Sequence, residues 1–425
     1  MEKVEARHSW EWDISREWDN EAMALGIYIS VPFCRTKCSY CNFASDVFSR
    51  TAFERYVEQI CADIGNATPI AEGMGGEIEH EVDSIYLGGG TPTVLEAGQL
   101  ERIFAAVRNQ FDVRPDAEVT VECAPGTLAP PVIEGLLRCG ANRVSLGVQS
   151  FVNAEAAAVG RLHKRATVIE EIARLRAAGI ANINIDLIAG LPHQTAESWR
   201  VSLEETIATG SPHVSVYMLE VDEDSRLGRE LIAGGTRYHA HFVPDEEAVV
   251  DFYLAACEKL DRSGVRQYEI SNFARAGFES RHNLKYWTRR PYLGFGVDAH
   301  SMLLSASEGA DAVRFATSHV LEQYVARAPL ERTVVSRSSA LEEGFFLGLR
   351  LTRGVNLSEL SADFGKKAVE NVSDPIVELV RDGLIQQDGD TIRLTAQGRL
   401  LSNEVFEKFL TTEEVLTATP PLAVE

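Results

Sequence analysis

The sequence predicts an α/β protein: a partial (β/α)6 barrel of the TIM type, followed by a small winged-helix-like α+β domain. Three observations predict this architecture. From residue 26, short apolar runs rich in β-branched residues alternate with amphipathic stretches. Polar and glycine-rich motifs directly follow these runs, where barrels of this kind carry their chemistry. Near residue 338 the alternation stops, and helices followed by a hairpin-like segment take over.

The predicted strands are near-continuous apolar runs, which are typical of a parallel sheet covered by helices. They lie at 26–31, 84–87, 118–122, 143–147, 183–188 and 213–219. The amphipathic stretches predict helices at 52–65, 95–110, 130–138, 166–178, 196–208 and 246–262. Six strand and helix pairs indicate an open barrel rather than the eight-stranded closed one.

The domain division follows from the same patterns. We expect a flexible leader, a core domain, a linker, a C-terminal domain and a tail, at 1–24, 25–303, 304–337, 338–412 and 413–425 respectively. Within the C-terminal domain, helices at 340–351, 356–363 and 374–383 precede a hairpin at 384–394, which resembles a winged helix. Residues 338–414 hold 8 Lys or Arg against 14 Asp or Glu, so this domain is expected to dock a partner rather than DNA.

Composition limits the partners and the compartment. The formal charge of −22 over 425 residues repels nucleic acid, and no basic patch offsets it, so no nucleic-acid partner is expected. No targeting or membrane-spanning segment is visible. Seven cysteines, three of them clustered, are typical of a reducing compartment. We therefore expect a cytoplasmic protein.

The clustered cysteines are Cys34, Cys38 and Cys41. Three thiolates in one loop suit an iron–sulfur cluster or zinc, but structural zinc needs a fourth ligand at a usual spacing, and none follows. A [4Fe–4S] cluster held by three cysteines leaves one iron open to chelate S-adenosylmethionine (SAM). Because the flanking residues are polar, a chance group of buried cysteines is the poorer interpretation.

A second group of motifs lies where the later strands end. The run 88–92 (GGGTP) lets backbone approach a ligand where a Cβ would clash, although a triple glycine alone also makes a tight turn. Glu122, Gln149, Arg161 and Asp186 are polar residues at or just beyond strand ends. Each alone is equally a helix cap or surface pair, but together they predict a polar small-molecule site.

The segment 282–287 (HNLKYW) combines one imidazole with two aromatic residues. From the residues alone, a packed loop with a hydrogen-bonded histidine is the better interpretation. The alternative is that His282 is an axial ligand of heme iron.

Taken together, these motifs resemble the radical-SAM family of oxygen-independent coproporphyrinogen III oxidase and its relatives, most closely the heme-chaperone branch. The resemblance runs from about residue 28 to 401. It rests on 34–41 (CRTKCSYC), 88–92 (GGGTP), 143–150 (RVSLGVQS), 160–163 (GRLH), 186–192 (DLIAGLP), 282–287 (HNLKYW) and 292–296 (YLGFG).

The resemblance implies roles for individual residues. Cys34, Cys38 and Cys41 would bind the cluster, and Tyr28, Gly89 and Glu122 align with contacts to its SAM. Six further residues align with positions that touch a second SAM in the oxidase: Tyr40, Gly90, Thr91, Gln149, Arg161 and Asp186. No residue is assigned a catalytic role.

Phe43 separates the two branches of the family. The oxidase resembles Cys-x3-Cys-x2-Cys-x-Cys, whereas Phe43 stands here in place of the fourth cysteine. The resemblance therefore implies a heme chaperone, with heme as cargo and His282 as a heme-ligand candidate. Implied partners are heme-accepting proteins, such as membrane-bound respiratory enzymes, and an electron donor such as flavodoxin or ferredoxin. The alternative is a coproporphyrinogen III dehydrogenase in porphyrin biosynthesis, and productive SAM cleavage stays open.

Overall fold

The computed structural model describes residues 24–410, apart from the side chain of Ser373. The predicted leader at 1–24 (except Ala24) and the predicted tail at 413–425 lie outside the described residues. Fifteen strands form two sheets within the described part of the chain. They are β1 Leu25–Val31, β2 Glu81–Gly89, β3 Asp112–Cys123, β4 Arg143–Gln149, β5 Asn182–Ala189, β6 His213–Met218, β7 Arg266–Gln267, β8 Asn272–Ala274, β9 Tyr292–Gly296, β10 His300–Leu304, β11 Ala310–Ala316, β12 Glu331–Ser336, β13 Val355–Asn356, β14 Ile385–Asp388 and β15 Thr391–Leu394.

The α-helices of the same part of the chain lie between and after these strands. They are α1 Arg50–Gly65, α2 Ala67–Met74, α3 Ala97–Gln110, α4 Pro130–Arg138, α5 Asn153–Ala158, α6 Arg165–Ala177, α7 Ala196–Thr209, α8 Arg226–Ala233, α9 Glu246–Arg262, α10 Arg281–Trp287, α11 Leu321–Val325, α12 Arg337–Gly348, α13 Leu357–Phe364, α14 Lys366–Glu370, α15 Ser373–Arg381, α16 Ala396–Leu400 and α17 Ser402–Glu407.

The larger sheet has twelve strands in the order β12-β11-β10-β9-β1-β2-β3-β4-β5-β6-β8-β7. Strands β1 to β6 pair in parallel, and β9 also pairs in parallel with β1. The six predicted strands and their covering helices are therefore confirmed. The sheet is open, since β12 and β7 are its two edges and do not pair with each other.

Each parallel strand presents two chemically different faces. In β1, Ile27, Ile29 and Val31 are fully buried in the main hydrophobic core with the covering helices, because alternate residues point to the same face. The intervening residues Tyr28 and Ser30 point to the opposite face. This opposite face continues across β2 to β6 with polar side chains, so the inside of the open barrel is polar.

The structure does not support the linker predicted over 304–337. That stretch contains β11, α11 and β12, and both strands extend the large sheet. β10, β11 and β12 pair antiparallel in chain order, with α11 between β11 and β12, so this edge is a meander. Their residues are a mixture of polar and apolar, which is expected at a partly solvated edge and gives no continuous apolar run to detect.

The C-terminal residues form the predicted winged-helix-like domain. α12 is followed by the short strand β13, helices α13 to α15, and the hairpin β14–β15, and the three strands form one sheet in the order β13-β15-β14. The domain has its own core, in which the rings of Phe345 and Phe409 stack with centroids 4.8 Å apart. No helix within the described residues is both long and apolar enough to cross a membrane.

Candidate functional site

The loop after β1 carries the three clustered cysteines, and backbone hydrogen bonds hold it in place. The Cys34 N–H donates to the Asp46 carbonyl at 2.9 Å, and the Ser39 N–H donates to the Val159 carbonyl at 3.1 Å. The hydrogen bond of Cys34 closes the loop on itself, and the hydrogen bond of Ser39 fixes the loop against the segment that follows β4. The loop is therefore an ordered platform at the carboxyl end of the parallel strands.

The three thiols are partly withdrawn from water. Cys38 is buried, and Cys34 and Cys41 are half-buried. Burial raises the pKa of the Cys34 thiol, and it raises the pKa of Cys41 to about 11 despite the nearby Lys37. The neighbouring Cys38 raises the pKa values of Cys34 and Cys41 further. Thiols whose ionisation is disfavoured, as at Cys34 and Cys41, suit a bound cation that removes their protons.

Two polar side chains face the sulfur atoms. An Arg161 guanidinium nitrogen lies 3.6 Å from the Cys38 sulfur, and the Thr91 hydroxyl lies 3.8 Å from the Cys34 sulfur. Hydrogen bonds and positive charge at the ligand sulfurs are the means by which proteins tune iron–sulfur clusters. The surroundings of the loop therefore suit an iron–sulfur cluster.

Within residues 24–410, no three His, Cys, Asp or Glu side chains converge closely enough to hold a single metal ion. A cubane cluster does not need that convergence, because each of its cysteines binds a different iron atom. The donor set, three thiols in one loop with Arg161 against one sulfur, fits a [4Fe–4S] cluster.

The glycine-rich run at the end of β2 is shaped by its neighbours. A Cβ on Gly88 would lie 2.8 Å from the Glu122 carboxylate, and a Cβ on Gly90 would lie 2.7 Å from the Phe33 carbonyl oxygen. The Gly90 and Thr91 N–H groups donate to the Val31 and Phe33 carbonyls, each at 2.7 Å. The run is thus packed directly against the start of the cysteine loop, and only glycine is accommodated there.

Glu122 is fixed in the centre of this face. Its carboxylate accepts hydrogen bonds from the Gly89 N–H at 3.0 Å and from the Tyr86 hydroxyl at 2.8 Å. Tyr28 lies close by, with its ring centroid 6.2 Å from that of Tyr86. Burial raises the pKa of the Tyr28 hydroxyl, and the Glu122 charge raises it further. The structure thereby brings together the three residues predicted to contact the SAM on the cluster: Tyr28, Gly89 and Glu122.

A second polar group lies at the ends of β4 and β5. The Asp186 carboxylate accepts hydrogen bonds from the Ser145 hydroxyl at 3.0 Å and the Asn184 amide at 2.6 Å. Gln149 has a φ of +66°, and its amide oxygen is buried with no hydrogen-bond partner in the described part of the chain. This buried acceptor is free to accept a hydrogen bond from a ligand at this end of the sheet.

Arg161 connects this second group to the cysteine loop. One guanidinium nitrogen donates to the Gly147 carbonyl, and another faces the Cys38 sulfur. Burial opposes its positive charge, but Tyr40 and Cys38 outweigh that effect and raise the pKa of Arg161. A Cβ on Gly147 would lie 2.6 Å from the guanidinium, so Gly147 is required for this placement.

The sequence did not predict the roles of several residues of the polar face. Tyr86 positions Glu122, Ser145 and Asn184 position Asp186, and Arg143 is only 1% exposed with its Nε unpartnered among the described residues. In each strand, these residues lie an even number of positions before a residue of the predicted site or its motifs, and therefore point to the same face of the sheet. A search with a period of two along each predicted strand would have found them.

His282 lies at the N-terminal end of α10, away from solvent. It is 1% exposed, its Nδ1 lies 3.1 Å from the Ser84 hydroxyl, and its Nε2 lies 2.9 Å from the Tyr286 hydroxyl. Burial lowers the pKa of His282 to about 3, helped by Lys285 and Arg143. The interpretation as a packed, hydrogen-bonded histidine agrees with this geometry. Ligation of heme iron by His282 would require one of the two hydrogen bonds to break and α10 to open.

Comparison with known proteins identifies the family. Residues 28–205 match the radical SAM superfamily, and residues 335–401 match the HemN C-terminal domain. The heme chaperone HemW of Lactococcus lactis is 36% identical over 90% of this chain and 96% of its own length. The heme chaperone HemW of Bacillus subtilis is 33% identical over 90% of this chain and 98% of its own. The chain belongs to the HemW family of radical SAM proteins.

Membership of the HemW family agrees with the geometry of the site. The radical SAM superfamily is defined by a [4Fe–4S] cluster and SAM, and the cysteine loop and the face around Glu122 lie within the matched residues. A solved structure of coproporphyrinogen III oxidase (HemN) from Escherichia coli matches with a TM-score of 0.78 at 23% identity, covering 91% of this chain and 90% of that chain. That likeness establishes the fold.

Proposed function

We propose that this chain is a heme chaperone built on a radical SAM core, which binds heme and delivers it to heme-requiring proteins. The observation that carries the proposal is the 36% identity to a heme chaperone along 96% of that protein's length. Residues 335–401 match the HemN C-terminal domain, so the likeness is not confined to the cofactor-binding core.

We assign the cofactors to named residues. Cys34, Cys38 and Cys41 hold the cluster, and Tyr28, Gly89 and Glu122 contact its SAM. When bound, this pair supplies reductive cleavage of SAM to a deoxyadenosyl radical. The residues that align with a second SAM are Tyr40, Gly90, Thr91, Gln149, Arg161 and Asp186. The unpartnered Gln149 oxygen supports a further ligand group beside them.

Phe43 distinguishes the proposal from its alternative, an oxygen-independent coproporphyrinogen III dehydrogenase. Phe43 is 37% exposed, and its backbone carbonyl accepts a hydrogen bond from the Lys37 ammonium at 2.5 Å. This residue lies two positions beyond Cys41 and provides no thiolate. The HemN-like fold keeps the dehydrogenase as the second candidate, but fold likeness alone carries no activity.

The deciding experiment is anaerobic reconstitution of the cluster, followed by incubation with SAM, a reductant and coproporphyrinogen III. We expect no protoporphyrinogen IX, while the same preparation retains added hemin through gel filtration. Formation of protoporphyrinogen IX would establish the dehydrogenase instead. A preparation that neither forms the product nor retains hemin would refute the proposal.

We further propose heme-accepting proteins, including membrane-bound respiratory enzymes, as partners, and flavodoxin or ferredoxin as electron donor. All seven cysteines are free, which supports action in a reducing compartment such as the cytoplasm. His282 stays a candidate heme ligand, with the requirement that α10 opens to expose it.

A further inference from the structure

A surface beside the cysteine loop combines features that the cofactor site does not use. We call it the 226–242 surface; it consists of residues 226–242 together with His193. The Leu227 N–H donates to the Ser39 carbonyl at 2.8 Å, and the Arg226 guanidinium donates to the Lys37 carbonyl at 3.1 Å. Helix α8 therefore packs directly against the loop that holds the three cysteines.

The first feature of this surface is an open pocket of about 520 Å³ lined by three arginines, Arg226, Arg229 and Arg237. Neither Arg229 nor Arg237 forms a salt bridge with a carboxylate among the described residues. The one acid in the lining, Glu230, is 9% exposed and accepts hydrogen bonds from the Tyr238 N–H at 2.8 Å and the Ala240 N–H at 3.2 Å. Two exposed arginines without a carboxylate partner can bind an anionic ligand, although the chain as a whole has a net charge of −22.

The second feature is apolar. Leu231 is 53% exposed, Ile232 is 67% exposed and Phe242 is 47% exposed. The guanidinium of Arg237 lies over the Tyr238 ring, 5.3 Å from its centroid. These side chains give the 226–242 surface apolar area in addition to its arginines.

The third feature is a group of three imidazoles around Phe242. The rings of His193 and His241 each lie with their centroids 4.1 Å from that of Phe242, and the His193 and His239 centroids are 5.0 Å apart. No hydrogen bond engages their ring nitrogens among the described residues, in contrast to His282. The nitrogens are therefore available to a ligand.

The backbone holds these histidines in unusual conformations. His193 and His239 have φ values of +68° and +62°, in the left-handed region that costs energy for residues other than glycine. The His193 N–H donates to the Phe242 carbonyl at 2.9 Å, which joins the segment after β5 to the segment before α9. Strain maintained in this way is a frequent property of binding sites.

We infer that heme docks on the 226–242 surface, with its propionates at Arg229 and Arg237, its ring on the exposed apolar side chains, and its iron at one of the three histidines. This inference rests on the proposed function. Heme combines a flat apolar ring, two carboxylates on one edge and an iron that takes an imidazole ligand. Since His282 is enclosed, the 226–242 surface provides the imidazoles that heme reaches without any opening of the fold.

The test is a titration of the reconstituted full-length protein with hemin and, separately, with iron-free protoporphyrin IX. Two variants are compared with the wild type: the double variant R229A/R237A and the triple variant H193A/H239A/H241A. The matched controls are R50A and H319A, which alter an exposed arginine and an exposed histidine elsewhere. We expect the arginine variant to bind both porphyrins at least tenfold more weakly. The histidine variant should lose hemin affinity and shift the Soret band, with unchanged affinity for protoporphyrin IX.

The outcomes separate this inference from the proposed function. If the wild type binds hemin and both variants bind it with wild-type affinity and spectrum, the 226–242 surface is not the docking site, and the chaperone proposal stands. If the wild type does not bind hemin, both the docking inference and the proposed chaperone function are wrong. Retention of SAM binding by the variants shows that a loss of hemin binding is not a loss of fold.

Discussion

At the scale of single residues, the face around Glu122 depends on the absence of side chains. Gly88, Gly90 and Gly147 each leave room for a neighbouring group that a Cβ would displace. The sequence predicted the cysteines from their spacing, because one loop of eight residues contains all three. It did not predict Tyr86 or Arg143, because their partners lie on other strands and their roles depend on strand register.

Gly88→Ala tests the placement of Glu122. The added Cβ would lie 2.8 Å from the Glu122 carboxylate, so Glu122 must move from its bonds to Gly89 and Tyr86. We expect SAM affinity to fall by about tenfold or more, roughly 1.4 kcal/mol, with the cluster absorption unchanged. Equilibrium binding of SAM measures this. Gly98→Ala is the control, since nothing lies within 4 Å of a Cβ there; equal affinities in the two variants would contradict the assignment of Glu122.

His282 predicts a pH dependence of stability. Its folded-state pKa of about 3 is far below the value of about 6.5 expected in the unfolded chain. As the pH falls below 6.5, the unfolded chain takes up a proton that the folded chain does not, so the free energy of unfolding falls. Each pH unit in the window from about 6.5 to 3 removes up to about 1.4 kcal/mol. We expect His282→Gln to reduce the slope of the free energy of unfolding against pH by the contribution of one proton, up to about 1.4 kcal/mol per pH unit.

Urea unfolding at pH 7.5, 6 and 5 checks the His282 prediction, with H319A as the control variant. An identical slope in His282→Gln and the wild type would show that His282 is protonated in the folded state. The sequence predicted a packed, hydrogen-bonded His282, but it did not predict the partner Ser84, which is 198 residues away in the sequence.

At the scale of elements, the six parallel strands and their helices were predictable, whereas the edge from β9 to β12 was not. The parallel strands are apolar on one face along their full length, so each appears as a run in the sequence. β9 has Tyr292, Gly294 and Gly296 on one face, so it is not a continuous apolar run. It pairs in parallel with β1, from which it is separated by most of the sequence of the core domain. Such a long-range pairing leaves no local pattern, and for the same reason the sequence predicts a linker at 304–337, where the structure has strands.

Gly294→Ala tests the β9–β10 edge. A Cβ on Gly294 would lie 2.2 Å from the His300 carbonyl oxygen, which is backbone and cannot rotate away. We expect a loss of about 1–3 kcal/mol in the free energy of unfolding, measured by urea denaturation. Gly73→Ala in α2 has no neighbour within 4 Å and should leave stability unchanged or slightly increase it. An unaffected Gly294→Ala variant would show that this edge is not part of the cooperative core.

At the scale of the whole molecule, the carboxyl ends of the parallel strands collect the chemistry. The cysteine loop and Arg161 follow strands at this end, and Glu122 and Asp186 lie within the carboxyl-terminal halves of β3 and β5, as expected for such sheets. Helix α8 and the 226–242 surface adjoin the same loop. The fold class and this placement were predictable from the sequence, whereas the 226–242 surface was not, because its arginines and histidines come together only through the packing of α8.

The central claim, delivery of heme by a radical SAM fold, is tested most directly by a transfer measurement. The anaerobically reconstituted protein is loaded with hemin, mixed with a heme-free respiratory enzyme and separated from it, and heme is followed by the absorption spectrum of each protein. Albumin loaded with the same amount of hemin is the control. We expect heme to leave this chain and to appear in the acceptor faster than from albumin. Heme that stays on this chain, or that reaches the acceptor no faster than from albumin, would contradict the account.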